Sequence, residues 1–284
     1  MTTVLVTGAG GQLGHDLVEA FSRGSAPCDV VGAGHDALDV TSRDLVHQAV
    51  ASLRPTAIVH AAAWTAVDAC ELDPDKAFAV NALGTRNVAE AARRFGAHVC
   101  YVSTDYVFDG LSDRPYVEWD PPHPLSVYGR SKLGGESELG PGDTVVRTSW
   151  VCGAHGANMA RTVLGLWRKG VPLRFVDDQV ASPTFTRGLA STIRELSLGH
   201  RPGVYHVTHQ GTTSWYGFAR AVVEAAGGNP DQVEAIATVD LDPPRPAPRP
   251  ANSVLDNAAL RLAGLPLLPD WHGPLEELVR ELSA

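Results

Sequence analysis

The chain has 284 residues, 44% hydrophobic and 19% charged, a composition typical of globular proteins with one large or two modest domains. Its formal net charge of −9 argues against a nucleic-acid surface, which needs clustered Lys and Arg, and against adhesion to anionic membranes. No apolar run approaches the roughly 20 residues of a membrane span, and the first residues lack the pattern of a signal peptide, so we expect a cytoplasmic protein.

Short apolar runs alternate with helical patterns through the first half of the chain. The predicted strands are Val4–Thr7, Asp29–Val31, Ala57–His60, His98–Val102 and Thr144–Arg147. The predicted helices are Gln12–Phe21, Leu45–Leu53, Asp75–Arg94 and Tyr128–Leu139. Strands that alternate with helices predict βαβ units, and therefore an α/β fold with a doubly wound, mostly parallel sheet of Rossmann type.

The alternation loosens after about residue 150. We assign residues 1–150, with about 180–205, to a dinucleotide-binding domain, because Thr186–Leu198 has the pattern of a helix packed on the sheet. Residues 151–284 then form mainly a smaller, discontinuous α/β substrate-binding domain. Its further predicted helices are Asn158–Lys169, Ser214–Ala226 and Leu275–Leu282. The proline-rich segment Asp242–Pro250 is either an extended linker or a stiff loop at the rim of a site.

A glycine loop follows the first strand and opens the first helix. Gly8, Gly11 and Gly14 have G-x-x-G-x-x-G spacing, with Gln12 and Leu13 between the last two glycines. Glycines let a pyrophosphate approach the backbone, and the helix N-terminus supplies free N–H groups and a positive dipole end. The last glycine allows close contact between helix and strand. Because the loop directly follows a strand, it predicts dinucleotide binding.

Two further segments fit a cofactor groove. Asp39 and Val40 follow the second strand, where an Asp side chain could bond the adenine amino group. Ala61, Ala62 and Ala63 follow the third strand, where small side chains leave room for a ribose. Close packing is the alternative explanation for the alanines.

The end of the second strand bears on the choice between NAD and NADP. An acidic residue there would bond the ribose 2′-hydroxyl and repel a 2′-phosphate. Gly34 occupies the expected position with His35 beside it, which favours NADPH. NADH remains the alternative, because Asp36 could serve if the register slips by two residues.

Three residues form a candidate catalytic group. Tyr128 and Lys132 are four residues apart and share one face of a predicted helix. An ammonium beside a phenol favours the phenolate, so we expect a lowered tyrosine pKa suited to general acid–base work. Thr104 ends the fourth strand, at the carboxyl edge where ligands of open α/β sheets bind. Its hydroxyl can bond a substrate carbonyl that Tyr128 protonates as hydride arrives from the nicotinamide, and Lys132 can hold the nicotinamide ribose.

With these motifs the chain resembles the extended short-chain dehydrogenase/reductase superfamily and, within it, the dTDP-4-dehydrorhamnose reductase family. The matching strings are Gly11–Gly14, Ala61–Asp68, Ser103–Gly110, Pro124–Gly129, Arg147–Val151, Asp178–Gln179, Ser182–Thr184, Arg249–Pro250 and Asn252–Ser253. The resemblance implies that NADPH or NADH reduces the 4-keto group of dTDP-4-dehydro-6-deoxy-L-mannose to give dTDP-L-rhamnose. It also implies substrate contacts for Thr104, Asp105 and Trp150. Asn81 matches a superfamily asparagine near the active site, but we favour the alternative that its side chain forms a hydrogen bond to backbone within its helix.

Rival functions share the fold. A dehydratase is expected to have Asp-Glu after the threonine, but Asp105 is followed here by Tyr106. A 4-ketoreductase of another dTDP-deoxysugar, such as dihydrostreptose or an antibiotic sugar, stays open. A non-catalytic NADP-binding regulatory subunit is less favoured, because Thr104, Tyr128 and Lys132 are all retained.

Metal binding is not expected from the sequence. The cysteines, Cys28, Cys70, Cys100 and Cys152, lack the short spacing of a zinc site, so we expect reduced thiols. Some members of the resembled family dimerise through a metal held by glutamates, one of them just after the loop glycines. His15-Asp16 stands there in this chain, which makes such dimerisation doubtful and leaves either a monomer or a homodimer.

Overall fold

The computed structural model describes residues 2–23 and 28–283. Its first half contains β1 Thr2–Thr7, α1 Gln12–Arg23, β2 Cys28–Ala33, α2 Arg43–Leu53, β3 Ala57–His60, α3 Val67–Leu72, α4 Pro74–Phe78, α5 Gly84–Phe95, β4 His98–Thr104, α6 Val127–Glu136 and β5 Thr144–Thr148. Every strand and helix predicted for this half is present, with ends that differ by a few residues. The predicted helix Asp75–Arg94 is divided by a π-helical turn, Ala79–Leu83, between α4 and α5.

The second half consists of shorter elements. They are β6 Val151–Cys152, α7 Met159–Arg168, β7 Leu173–Val176, β8 Val180–Ala181, β9 Thr184–Phe185, α8 Thr186–Leu198, β10 Gly203–His206, β11 Thr213–Ser214, α9 Trp215–Ala225, β12 Val233–Ile236, α10 Ala258–Leu262 and α11 His272–Ser283. The four helices predicted here are present. The two-residue strands were not predicted, because so short a run carries no readable alternation.

A six-stranded sheet organises the chain in the order β10-β5-β4-β3-β1-β2, and all its strand pairs are parallel. The predicted α/β fold with a doubly wound sheet is therefore confirmed. The strand order reverses between β1 and β3, and ligands of such sheets bind in the crevice at the carboxyl ends beside that point. The glycine loop after β1 and the alanines after β3 both lie there.

Apolar side chains cover both faces of this sheet. On one face Leu17 and Phe21 of α1 pack with Leu189 and Ile193 of α8. On the other face α2 and α5 contribute buried valines and alanines. Each fully buried valine, leucine, isoleucine or phenylalanine side chain stabilises the fold by about 1.5–3 kcal/mol. The strand ends that carry the site are thus fixed from two sides.

A separate core lies in the second half of the chain. It joins α7, α9 and α11 to the parallel pair β7–β12, with Phe218, Val222 and Leu275 among its buried members. By contrast, α8 packs on the main sheet and β10 is one of its strands. The proposed division into two domains stays a prediction. No helix in residues 2–23 and 28–283 is long and apolar enough to cross a membrane.

Candidate active site

The glycine loop forms a cradle that side chains would close. Gly8 has φ +72°, and a Cβ atom on it would lie 2.6 Å from the backbone nitrogen of Ala62. A Cβ atom on Gly14 would overlap the carbonyl oxygen of Gly8. Gly11 differs, since its Cβ atom would meet only that carbonyl, at 3.3 Å, and would otherwise enter open space. Two glycines therefore shape the loop, and the third keeps its surface clear for a ligand.

Two adjoining cavities begin at this cradle. The larger, about 1130 Å³, runs past Gly34, His35 and Asp36 to Asp39. The smaller, about 380 Å³, contains Thr104, Tyr128 and Lys132. Both are lined by Gly8, Gly11, Ala61 and Ala63, so the cradle lies between them. Together they are large enough for a dinucleotide, and the open space at Gly11 fits its pyrophosphate.

The other predicted cofactor residues play unequal parts. The Asp39 carboxylate accepts hydrogen bonds from the Thr41 hydroxyl and backbone, and these bonds lower its pKa. The Gln12 amide donates to the Val151 carbonyl at 3.0 Å. Leu13 belongs to the first core, and Val40 is buried. Gln12, Leu13 and Val40 therefore offer chiefly their backbone to a ligand, whereas the Asp39 side chain borders the larger cavity.

The three candidate catalytic residues meet in the smaller cavity. Thr104 is the last residue of β4, as predicted, and Tyr128 is in the first turn of α6. The Ser126 hydroxyl caps that helix by accepting from the Gly129 backbone at 3.1 Å, which fixes where the tyrosine starts. Exposed fractions are only 5% for Thr104, 8% for Tyr128 and 2% for Lys132.

The electrostatics differ from the sequence-based expectation of a lowered tyrosine pKa. Burial raises the pKa of Tyr128, and the hydrogen bond with Thr104 only partly opposes this. The Lys132 ammonium donates to the Val102 carbonyl at 2.7 Å and lies 4.1 Å from the centroid of the Tyr101 ring. Burial lowers the pKa of Lys132 to about 7, against the attraction of Glu136. The expectation was wrong because the sequence does not show how deeply both groups are buried.

Asp105 acts on Thr104 within this group. Its carboxylate is 2% exposed, and it accepts a hydrogen bond from the Thr104 hydroxyl at 3.0 Å. Burial raises the pKa of Asp105 to about 6. The Thr104 oxygen also accepts from the Tyr106 backbone N–H at 3.2 Å. The threonine hydroxyl is thus held in one orientation at the wall of the cavity.

Trp150 lines the same cavity from the other side. Its φ of 44° lies in the left-handed region, which costs a residue other than glycine about 1–3 kcal/mol. Its indole stacks on that of Trp215, with ring centroids 3.5 Å apart and an angle of 8° between the planes. Trp215 also lines the cavity, and the stacking supports the strained Trp150 backbone from α9.

Asn81 lies in the π-helical turn and is 1% exposed. Its side chain accepts from the Trp64 backbone N–H at 2.8 Å and donates to the Trp64 carbonyl at 3.1 Å. It also donates to the Ser131 hydroxyl at 2.9 Å. The Asn81 side chain does bond backbone as expected, but the bonds reach Trp64, in the segment after β3, and not the helix that contains Asn81. Asn81 therefore joins the cavity wall after β3 to the helix that carries Tyr128.

Two residues at the site were given no role by sequence reasoning. Tyr106 packs edge-on against Tyr128, with ring centroids 5.6 Å apart. Its position two residues after Thr104, within a quoted string, was the available signal. Trp215 offered none, because its contact with Trp150 joins segments 65 positions apart in sequence.

Asp16, the second residue after the last loop glycine, borders neither of these two cavities. Asp16 is 5% exposed and borders a separate cavity of about 530 Å³, at whose edge Arg187 pairs with Glu281 at 2.8 Å. No three His, Cys, Asp or Glu side chains form a group suited to a metal within the described part of the chain. All four cysteines are free thiols, as predicted.

A buried tyrosine, lysine and threonine that line one cavity beside a glycine cradle, on a doubly wound parallel sheet, are typical of oxidoreductases of the extended short-chain dehydrogenase/reductase class. Within that class the chain belongs to the family described as RmlD substrate binding domain, whose model matches residues 1–284. This confirms the resemblance found in the sequence.

Individual relatives agree with this family. The chain is 41% identical to a dTDP-4-dehydrorhamnose reductase of Streptomyces griseus, over 96% of this chain and 91% of the relative. It is 39% identical to a dTDP-4-keto-6-deoxy-D-glucose reductase of Streptomyces niveus, over 99% and 97%. Among solved structures, a dTDP-4-dehydrorhamnose reductase of Bacillus anthracis in complex with NADP superimposes with a TM-score of 0.93 at 36% identity, covering 99% of this chain and 100% of that one.

Proposed function

We propose that the protein reduces the 4-keto group of dTDP-4-dehydro-6-deoxy-L-mannose with NADPH or NADH, giving dTDP-L-rhamnose. The observation that carries this proposal is the buried Tyr128 phenol, which shares with the Thr104 hydroxyl a cavity that opens onto the glycine cradle. The names of the S. griseus and B. anthracis relatives support the substrate.

Tyr128 is assigned as the proton donor. A donor must carry its proton at neutral pH. A phenol does so at its ordinary pKa, and burial, which raises the pKa of Tyr128 further, keeps it protonated in the absence of ligands. When bound, the reduced nicotinamide supplies the hydride to C4 of the sugar. When substrate binds, the Thr104 hydroxyl, which lines the same cavity, would turn its single proton from Asp105 to the ketone oxygen and hold that oxygen near the phenol.

Lys132 is assigned to stabilise the product of that transfer. A phenolate in a buried site is costly unless a cation or donor is close. The Lys132 amine, on the next turn of α6, supplies a cation when protonated, and its pKa near 7 keeps it partly protonated at neutral pH.

For the cofactor we propose the cradle and the larger cavity, with NADPH preferred. Gly8, Gly11 and Gly14, with the backbone of Gln12 and Leu13, would hold the pyrophosphate. Asp39, Val40 and the alanines Ala61, Ala62 and Ala63 would line the adenosine and ribose. Gly34 and His35 border the cavity after β2, where no acidic side chain directly follows the strand, and the NADP complex of the B. anthracis relative supports the preference.

For the sugar nucleotide we propose contacts with Thr104, Asp105 and Trp150, all of which line the smaller cavity. The Asp105 carboxylate has a hydrogen-bonding contact with Ser253 besides the bond from Thr104, and its buried Oδ2 atom keeps acceptor capacity that suits a substrate hydroxyl. A flat indole suits the apolar face of a sugar ring. The cytoplasmic location, the absence of a nucleic-acid partner and the monomeric or dimeric state stay predictions.

A second candidate is the reduction of another dTDP-linked 4-keto deoxysugar, such as dihydrostreptose or an antibiotic sugar. The 39% identity to the S. niveus relative, which is nearly as high as the 41% identity to the S. griseus relative, supports this candidate. A non-catalytic NADP-binding regulator is disfavoured, because Thr104, Tyr128 and Lys132 all meet in one cavity.

The test incubates the protein with dTDP-4-dehydro-L-rhamnose and either NADPH or NADH, and follows loss of the reduced-nicotinamide absorbance. NMR of the product identifies the sugar. We expect dTDP-L-rhamnose and faster turnover with NADPH. A parallel reaction with dTDP-4-keto-6-deoxy-D-glucose tests the second candidate, and faster turnover of that ketone would reject the first.

A further inference from the structure

The proline-rich segment 242–250 is bonded to Asp68 of α3, next to Val67 in the wall of the smaller cavity, rather than extended as a linker. Asp68, in the first turn of α3, accepts two hydrogen bonds from the Arg249 guanidinium, at 2.9 and 2.8 Å. It also accepts from the Ala247 backbone at 3.2 Å and from Arg245 at 3.3 Å. Of the two sequence-based interpretations, a stiff loop beside a site agrees with these contacts.

The two arginines on Asp68 are not equivalent. Arg249 makes a fork-shaped pair with the carboxylate, and the two side chains are only 16% and 27% exposed. Arg245 makes one long contact and is 56% exposed. Two-point, partly desolvated pairs are the strong kind of charge-assisted hydrogen bond, whereas single exposed pairs contribute little. Arg249 is therefore the member of the segment that is fixed in place.

Arg249, which is paired with Asp68, is connected to the catalytic group through Tyr106. Burial raises the pKa of the Tyr106 hydroxyl, and the charge of the neighbouring Arg249 guanidinium opposes that rise. Tyr106 in turn contacts both Tyr128 and Thr104. Its ring packs edge-on against Tyr128, and its backbone N–H donates to the Thr104 oxygen. Its carbonyl also lies directly against Gly129 of α6. A tyrosine with these contacts controls where the Tyr128 phenol points.

We propose that Arg249, clamped by Asp68, is a positioning residue of the reaction that fixes Tyr106 and thereby the Tyr128 phenol. This inference rests on the proposed function for its kinetic consequence only. Arg249 lines neither of the two adjoining cavities, so it acts through Tyr106 and not by binding cofactor. A small misalignment of a proton donor lowers turnover by about 10–100-fold.

The kinetic test compares Arg249→Met with Arg245→Met, which removes the other arginine from the same carboxylate. We expect kcat to fall about 10–100-fold in Arg249→Met and to stay within about twofold in Arg245→Met. NADPH affinity, measured by fluorescence titration, should be unchanged in both. Arg249→Lys keeps the charge without the fork and should give an intermediate kcat.

A double variant tests the route. If Arg249 acts through Tyr106, then Arg249→Met combined with Tyr106→Phe should lower kcat no further than the more damaging single change. Additive losses would mean that Arg249 acts by another path, and an equal loss of kcat in Arg245→Met would mean that the clamp has no special role.

A spectroscopic test does not depend on turnover. In protein with 13C-labelled tyrosine, assigned with Tyr106→Phe and Tyr128→Phe, the Tyr128 ring signals should shift in Arg249→Met and not in Arg245→Met. If the wild-type protein fails to reduce the ketone, the proposed function is wrong. The comparison of ring signals still shows whether Arg249 positions Tyr128. Unchanged Tyr128 signals in Arg249→Met would overturn the inference, whatever the thermal stability of the variant.

Discussion

The Thr104 hydroxyl donates its hydrogen bond to the Asp105 carboxylate at 3.0 Å, inside the wall of the candidate active site. A carboxylate so buried is expensive to ionise, and the pKa of Asp105 is accordingly raised to about 6. The residue that orients the Thr104 hydroxyl is thus also a carboxyl group whose pKa, about 6, lies close to neutral pH.

This burial predicts a pH-dependent cost of folding. The ordinary Asp pKa of 3.8 is raised to about 6 in the folded chain, so the folded state binds more protons than the unfolded state between these values. The stabilisation of the folded state by the protonated Asp105 carboxyl is fully present below about pH 4 and is lost as pH rises through about 6. We expect wild type to lose on the order of 2–3 kcal/mol relative to Asp105→Asn over this window.

Urea unfolding at several pH values between 3 and 7 measures the difference between wild type and Asp105→Asn. Asp109→Asn supplies a contrast, because a hydrogen bond from Tyr116 lowers the pKa of Asp109. Wild type should gain stability relative to that variant as pH rises through the acid range. A flat difference for Asp105→Asn would contradict the raised pKa.

Replacement of Tyr128 by Phe removes the proton donor and leaves the ring packing against Tyr106. We expect kcat to fall by at least about 100-fold, the usual contribution of a general acid. NADPH affinity should stay within about twofold, since only the hydroxyl is lost. Steady-state kinetics and a fluorescence titration measure the two quantities, and a nearly normal kcat would remove Tyr128 from its assigned role.

Gly11 and Gly14 should respond differently to a side chain. Gly11→Val points into the open cradle, so the fold should survive while NADPH affinity falls by about 100-fold or more. Gly14→Ala meets backbone and should cost about 2 kcal/mol or more of folding free energy. Thermal unfolding and cofactor titration separate the two effects.

Gly142→Ala is the control for both glycines, because a Cβ atom there meets nothing within 4 Å. It should leave stability and binding nearly unchanged. Normal NADPH binding by Gly11→Val would argue that the cofactor does not lie on this loop.

Trp215 should govern the sugar nucleotide and not the cofactor. Trp215→Ala removes the stacking partner that supports the strained Trp150 backbone, so we expect KM for the sugar nucleotide to rise about tenfold. Trp215→Phe keeps an aromatic face and should recover most of the affinity. Near-ultraviolet circular dichroism reports loss of the stacked pair, and an unchanged KM in Trp215→Ala would show that Trp150 needs no such support.

Features encoded by neighbouring residues could be predicted from the sequence. The βαβ order, the glycine cradle after β1 and the position of Thr104 at the end of β4 follow from apolar runs and turn residues, which act over a few positions. The pairing of Tyr128 with Lys132 follows from helical spacing, and both do line one cavity. The family strings gave the chemistry expected of that cavity.

Burial and contacts between distant segments were decided only by the tertiary structure. The pKa of Tyr128 is raised and not lowered as expected, because desolvation depends on every segment packed around a group. The stacking of Trp215 on Trp150 and the clamp of Arg249 on Asp68 join segments 65 and 181 positions apart. Local patterns carry no information on such approaches, because chain folding alone brings the segments together.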